Sequence, residues 1–290
     1  MTTPIERPGD APTGDGDDNP LREARLAFVG VGVMAEAVIS GLLRRGLVSP
    51  SQIAGSHPRA ARREELAGRY GIRVLEDNRE AARGSDILVV AVKPQRAARV
   101  LEELRGACAE GQLVLSVVAG LRAATIAETL RHPSVVRAMP NTPAQIGRGI
   151  TAWTATPEVT GRQLAEVRAL LGALGREMHV ETENMIDMAT ALSATGPTYV
   201  FMMMEALVDA GVHMGFSRHV AQELVAETIL GSVLFAQESH KHPAELRNMV
   251  TSPGGTSAEA IYQMEKGGLR TVLSKAVYAA YKRAVALGRK

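Results

Sequence analysis

From Arg25 to about Val180 short apolar runs alternate with stretches of helical period, and beyond Val180 helical period continues alone. The apolar runs fall at 26–29, 53–55, 72–74, 87–92, 113–118 and 134–139, each of strand length. Runs 87–92 and 113–118 are nearly continuous, as central strands of a parallel sheet are when both faces are covered. Residues 60–69, rich in Arg and Ala, read as one of the connecting helices. Such a series predicts an α/β fold: an open, mostly parallel, doubly wound sheet over 25–182 with ligands at the carboxyl ends of its strands. An all-helical domain over 183–290 follows it.

The first strand runs directly into Gly30-Val31-Gly32-Val33-Met34-Ala35, and Ala37, Val38, Ser40, Gly41 and Leu42 continue as a helix able to lie close on a sheet. G-x-G-x-x-A between a strand and a helix is the dinucleotide-binding arrangement of a Rossmann domain. Gly30 allows the tight turn, Gly32 lets a pyrophosphate approach the backbone, and Ala35 keeps helix and strand together. The free N–H groups of the helix then face the phosphates. Glycines also mark ordinary βα turns, so the strand–turn–helix context carries this reading.

At the end of the second strand stand Ser56-His57-Pro58-Arg59, with Arg62 and Arg63 one turn on. A site selecting NAD usually places an acid here for the ribose 2′-hydroxyl. This chain has no acid until Glu64, and its hydroxyl, imidazole and guanidinium groups suit a 2′-phosphate instead. The same arginines also suit a solvated helix face. Ala91-Val92-Lys93-Pro94-Gln95 and Val118-Ala119-Gly120 follow two central strands and belong over the same crevice, unless Lys93 is a plain surface lysine. Met139-Pro140-Asn141-Thr142-Pro143 reads as a rigid, non-helical loop, with Asn141 either lining the nicotinamide end or acting as a turn residue.

In the helical half, Val200, Met203, Met204, Leu207, Val208 and Gly211 recur at helical spacing, yet Phe201, Met202, Ala206 and Ala210 occupy the other faces. A helix apolar nearly all round must be buried all round. About a hundred residues could hardly bury it, so it predicts a subunit interface. Leu269, Val272, Leu273, Ala276, Val277 and Ala280 form a plainer amphipathic helix. Between them, Thr251-Ser252-Pro253-Gly254-Gly255-Thr256-Ser257 opens a further helix. Its glycines and hydroxyls make either a carboxylate or phosphate site or an ordinary N-capped loop.

Composition narrows the function classes. The 290 residues, 46% hydrophobic and 22% charged, suffice for two cores of ordinary soluble type. A net charge of +2 with four Phe and one Trp supplies no basic, aromatic-studded stripe, which argues against nucleic acid as a partner. The single cysteine, Cys108, cannot form an intrachain disulfide and reads as a small apolar residue near a helix end; no metal is expected. Residues 1–24 read as a disordered tail without the apolar core of a signal peptide, and no apolar stretch has the length of a membrane span. A cytoplasmic protein is expected.

With these blocks in hand, the chain resembles the pyrroline-5-carboxylate reductase family over about residues 26–288. The resemblance rests on 30–35, 91–95 and 137–143, on Ser193-Ala194-Thr195-Gly196-Pro197-Thr198-Tyr199, and on 250–257 with the preceding 242–247. It implies a Rossmann domain, a helical domain that dimerises by interleaving, and often rings of five dimers, a decamer. It also implies NADPH or NADH as hydride donor and 1-pyrroline-5-carboxylate as acceptor. By the resemblance the cofactor contacts fall on Val29, Gly30, Val31, Gly32, Val33 and Met34, on Ser56, His57 and Arg59, on Asn78, on Ala91, Val92, Lys93 and Pro94, and on Val118, Ala119 and Gly120. The substrate contacts fall on Glu183, Gly254, Gly255, Thr256 and Ser257. On that basis the amides of Gly254, Gly255 and Thr256 are expected to hold the substrate carboxylate. Ser257 is expected to face the ring nitrogen, with Glu183 balancing its charge across the subunit interface. Val33 stands where members commonly carry Asn or Gln, Ala194 and Thr195 where Gly and Ser are usual, and Ser257 where Thr is.

The reduction of an imine needs a hydride near carbon and a proton on a nitrogen basic enough to arrive protonated. Orientation can therefore carry most of the rate. A β-hydroxyacid dehydrogenase of similar layout would need an acid/base Lys or His, and no lysine lies between Lys93 and Lys241. A redox-sensing protein that only holds NADPH is the other reading; it would leave the 254–257 loop idle.

Overall fold

The computed structural model describes residues 19–288. Eight strands form one sheet: β1 Leu26–Val29, β2 Ile53–Ser56, β3 Arg73–Leu75, β4 Ile87–Val90, β5 Leu113–Ser116, β6 Val135–Met139, β7 Gly149–Ala155 and β8 Gly175–His179. Their order is β3-β2-β1-β4-β5-β6-β7-β8. Every pairing is parallel except β6 with β7. The order reverses between β1 and β4, which is where a doubly wound sheet opens its ligand crevice.

The continuous apolar runs have a direct cause. Alternation along each strand sends Leu26, Phe28, Ile87, Val89, Leu113 and Leu115 to one face, where they join Val38 and Leu42 of α1 (Val33–Arg44) and Val167 and Leu170 of α6 (Gly161–Gly172). Ala27, Val29, Leu88, Val90 and Val114 point the other way. They meet Val100, Leu101 and Leu104 of α4 (Pro94–Leu104) and Ile126 and Leu130 of α5 (Ala123–Leu130). Each such Leu or Val contributes about 1.5–3 kcal/mol on burial. The remaining helices between strands are α2 (Ala60–Tyr70) and α3 (Asn78–Ala82).

Four expectations are corrected. The strands end earlier than their apolar runs, so Ala91, Val92, Val117 and Val118 belong to loops. β7 and β8 were not expected as strands. They pair through Trp153, fully buried, whose Nε1 donates to Glu177 on β8. The loop after β6 is not free of helix: Thr142–Ile146 is a 3-10 turn with Asn141 ahead of it. Finally, residues 1–18 of the expected tail lie outside the described residues, but 19–24 are packed: Leu21 and Ala24 are buried, and Gln52 Nε2 donates to the carbonyls of Leu21, Arg22 and Ala24.

The chain divides into two compact units, 1–195 with 280–290, and 196–279. α7 (Glu183–Ala189), continued by a π-helical turn over Thr190–Ala194, thus belongs with the sheet. The second unit holds α8 (Gly196–His213), α9 (Arg218–Ser239), α10 (Pro243–Met249), α11 (Thr256–Lys266) and most of α12 (Leu269–Leu287). Among the described residues no helix is long and apolar enough to cross a membrane.

Candidate active site

At the carboxyl ends of β1, β2 and β4 lies a cavity of about 670 Å³. Gly30 forms its turn at φ +85, where a Cβ would come within 2.5 Å of Val92 Cγ1. No larger residue fits there. Gly32 faces open space, with nothing within 4 Å of a Cβ, so a ligand can reach its backbone at the start of α1. Val29, Val31 and Ala35 are buried beneath the turn, Met34 packs against the core, and Val33 is 61% exposed at the first position of the helix.

The floor of the cavity is a chain of hydrogen bonds. Gly30 N donates to Ser56 Oγ at 3.4 Å, and Ser56 Oγ, buried, donates to Asn78 Oδ1 at 2.7 Å. Asn78 Nδ2 then donates to Glu103 Oε2 of α4 at 2.7 Å. Ser56 and Asn78 therefore brace the crevice as well as border it.

The arginines after β2 divide by partner. Arg62 binds Glu36, which lies one residue past the Gly-rich turn, and also Glu65. Arg69 and Tyr70 bond the same Glu36 carboxylate. Burial would raise the Glu36 carboxyl, but the bonds from Arg62 and Tyr70 and the charges of Arg62 and Arg69 outweigh it and hold it below the usual range. Arg63 is taken by Glu76 and by the carbonyls of His57 and Pro58. Arg59 lines the cavity and makes no side-chain bond among the described residues. His57 Nδ1 accepts from Arg59 N at 3.2 Å. Burial lowers the His57 pKa; the Arg59 amide works against this, and the charges of Arg59, Arg62 and Arg63 add to the lowering. The ring is neutral at pH 7 and keeps Nε2–H as a donor.

Lys93 and Pro94 open α4, with Ala91, Val92 and Lys93 on the wall of this cavity. Val118, Ala119 and Gly120 line a neighbouring cavity of about 390 Å³ together with Pro94. The end of α12 closes over them. A Cβ on Gly120 would meet Leu287 Cβ at 2.6 Å.

Glu183 sits at the first position of α7. Its Oε1 accepts from Ala123 N at 2.9 Å and from Arg137 Nη1 at 3.2 Å. Arg137, on β6 and 1% exposed, also meets Asp187 at 2.6 Å, and Arg122 meets Asp187 at 2.9 Å. This cluster ties β6 and the start of α5 to α7. Local sequence pattern carries no sign of it, because its bonded partners lie 46–65 residues apart. Asn141 is a turn residue here: its Oδ1 accepts from Ile150 N at 3.0 Å and its Nδ2 reaches Ser193 Oγ at 3.4 Å.

In the second unit, Gly254 adopts φ +70 and Gly255 caps α11. A Cβ on Gly255 would lie 2.4 Å from Ser252 Oγ. The Gly255 N–H, expected to face a ligand, instead donates to Ser252 O at 3.0 Å. The Gly254 N–H has no partner among the described residues, and the amides of Thr256 and Ser257 are the first two of the helix and precede its i→i−4 ladder, so these three are the donors the turn presents.

Comparison with known proteins bears on both halves. Residues 183–287 match the family model described as pyrroline-5-carboxylate reductase dimerisation, and 25–120 match one described as NADP oxidoreductase, coenzyme F420-dependent. The chain is 42% identical to a pyrroline-5-carboxylate reductase of Synechocystis over 92% of its own length and 99% of the relative's. The chain belongs to the pyrroline-5-carboxylate reductase family. A family member from Pseudomonas aeruginosa is 39% identical, over 91% of this chain and 96% of its own. Among solved structures, Plasmodium falciparum pyrroline carboxylate reductase with NADP bound superposes with a TM-score of 0.85 at 30% identity, covering 92% of this chain and 99% of that one.

Proposed function

We propose that the chain reduces 1-pyrroline-5-carboxylate to L-proline with NADPH as hydride donor, acting as a homodimer. The observation that carries the substrate assignment is the turn at 251–257: Gly254 in the left-handed region, then two helix-start amides and the Ser257 hydroxyl. The amides of Gly254, Thr256 and Ser257 hold the carboxylate, and the Ser257 Oγ accepts from the protonated ring nitrogen. The cofactor, when bound, supplies the hydride. The residues present fit it. Gly30 and Gly32 clear the approach to the pyrophosphate, Asn78 and Ser56 brace the floor, and Arg59 with the neutral His57 offers donors where NAD selection would need an acid. Glu183, engaged by Arg137 and Ala123, contributes by holding the start of α5 in place.

The large apolar side chains left exposed on α8, α9 and α12 support dimerisation, among them Phe201, Leu234 and Val272. They lie within residues 183–287, the stretch that matches the family model described as pyrroline-5-carboxylate reductase dimerisation.

Loss of reduced-nicotinamide absorbance on mixing protein, NADPH and pyrroline-5-carboxylate tests the activity directly. Binding of NADPH without turnover would favour a redox sensor instead. Ser257→Ala is expected to lower kcat about tenfold or more, since a hydrogen bond to a charged group contributes about 1.5–3 kcal/mol. Ser257→Thr keeps the hydroxyl and the activity. Full activity in Ser257→Ala would leave the loop as a helix cap only.

A further inference from the structure

Helix α4 presents Arg96, Arg99 and Glu103 on one stripe, at spacings of three and four, into the cavity at the ends of β1, β2 and β4. Two of the three are committed. Arg99 Nε meets Glu103 Oε1 at 3.2 Å, and the second oxygen of Glu103 takes Asn78. Arg96 is exposed, and its side chain has no ion pair or hydrogen bond among the described residues. After β2 the arginines divide in the same way: Arg62 and Arg63, which do not line the cavity, are held by acids, while Arg59, which does, is free among the described residues. The acids that line the cavity are likewise occupied, Glu76 by Arg63, Asp77 by the Glu80 amide at the start of α3, and Glu103 by Arg99 and Asn78. What remains uncommitted is Arg59, Lys93 and Arg96. All are positive.

We propose that Arg96 is a specificity-determining residue for the cofactor: it pairs with the 2′-phosphate of NADPH from the α4 wall, opposite Arg59 on the β2 wall. This rests on the reading of NADPH as the hydride donor. A 2′-phosphate carries nearly two charges and three acceptor oxygens near pH 7, more than one guanidinium fork can satisfy. Two arginines on facing walls can each bond it through two N–H groups. The cavity is open to solvent, so each contributes a moderate, salt-sensitive share.

The test is calorimetric binding of two fragments to the full-length protein, adenosine 2′,5′-bisphosphate and adenosine 5′-monophosphate. The unaltered protein is expected to prefer the bisphosphate. Arg96→Gln is expected to lower bisphosphate affinity about tenfold and leave the monophosphate unchanged, as is Arg59→Gln, with a larger loss in the double variant than in either single one. Thermal melting should be unaffected, because Arg96 supports nothing in the fold. A preference that vanishes in Arg59→Gln but survives in Arg96→Gln overturns the assignment of Arg96 alone. Equal loss of both fragments in Arg96→Gln overturns it too, since the residue would then be reading the 5′-phosphate or the base. If the unaltered protein shows no preference, the NADPH reading fails and takes this proposal with it.

Discussion

In β1, β4 and β5 every residue is buried, whereas in α8, eighteen residues long, only Val208 and Gly211 are. Both segments are strongly apolar in sequence. The difference is that the sheet finds helices of its own unit on both faces, while α8 turns Phe201, Met202 and Leu207 outward at 59%, 65% and 52% exposure. The first unit completes its core within one chain. The second carries apolar surface that a single chain leaves in water, and such surface points to a partner copy. Polar groups follow the same division. In the sheet unit Arg137 and Asp187 are almost fully buried and charge-paired. In the helical unit the Arg218–Asp209 pair lies at the surface, with both side chains about 60% exposed, where such pairs contribute ~0–1 kcal/mol.

Phe201 separates the two units most sharply. In a monomer a charge at so exposed a position would change stability by no more than ~0.5 kcal/mol. In a dimer that buries it, Phe201→Glu should weaken association by about 5 kcal/mol, from lost aromatic burial and a stranded carboxylate. Light scattering across a dilution series reads the result, and an unchanged dimer would remove the contrast between the units.

Next comes the sheet unit's buried cluster. Asp187→Ala removes the buried partner of Arg137 Nη2 and leaves Glu183 as its one remaining ion pair among the described residues, and should cost up to about 3–5 kcal/mol in urea unfolding. Arg137→Met combined with Asp187→Leu should recover a large part of that loss. A cost below about 1 kcal/mol for Asp187→Ala would mean that Glu183 or water compensates Arg137, and that the Arg137–Asp187 pair does not hold the unit together.

The smallest effect concerns Cys108, packed against the α4–α5 side of the sheet. Burial pushes its thiol up to about 11 from 9.0. The unfolded chain therefore loses this proton first as pH rises. The contribution to stability is complete below about pH 9 and is lost progressively toward pH 11. Cys108→Ala should remove that part of the alkaline decline, seen as a smaller difference in urea midpoint between about pH 8 and about pH 10.5. Identical alkaline slopes would place the thiol in solvent.

The same contrast decides what could be read in advance. Leu26–Val29 with its glycine turn, and the runs at 87–92 and 113–118, are two-sided apolar strands, and no other local structure explains them. β8, Gly-Arg-Glu-Met-His, is an edge strand with mostly polar, exposed residues, so its hydrophobic pattern is silent. β7 hides its register behind Thr and Ala. At the candidate site, Gly30, Gly32, Arg59 and Lys93 were legible because backbone freedom and free charge are local properties. The roles of Glu36, Asn78, Glu103 and Arg137 were not, since each depends on a partner 22 to 50 residues away. The Gly255 amide misled for a related reason: a glycine in a loop shows that the backbone can turn, and not where its N–H points.

On the proposed function, the sheet unit binds cofactor by itself, whereas turnover needs the helical unit assembled with a second copy. An NADPH titration and a turnover assay on one sample of Phe201→Glu, shown by light scattering to be monomeric, separate the two requirements. NADPH affinity is expected within about twofold of the unaltered protein, with reduction of pyrroline-5-carboxylate abolished. A monomer that reduces pyrroline-5-carboxylate at the unaltered rate would contradict the need for a second copy.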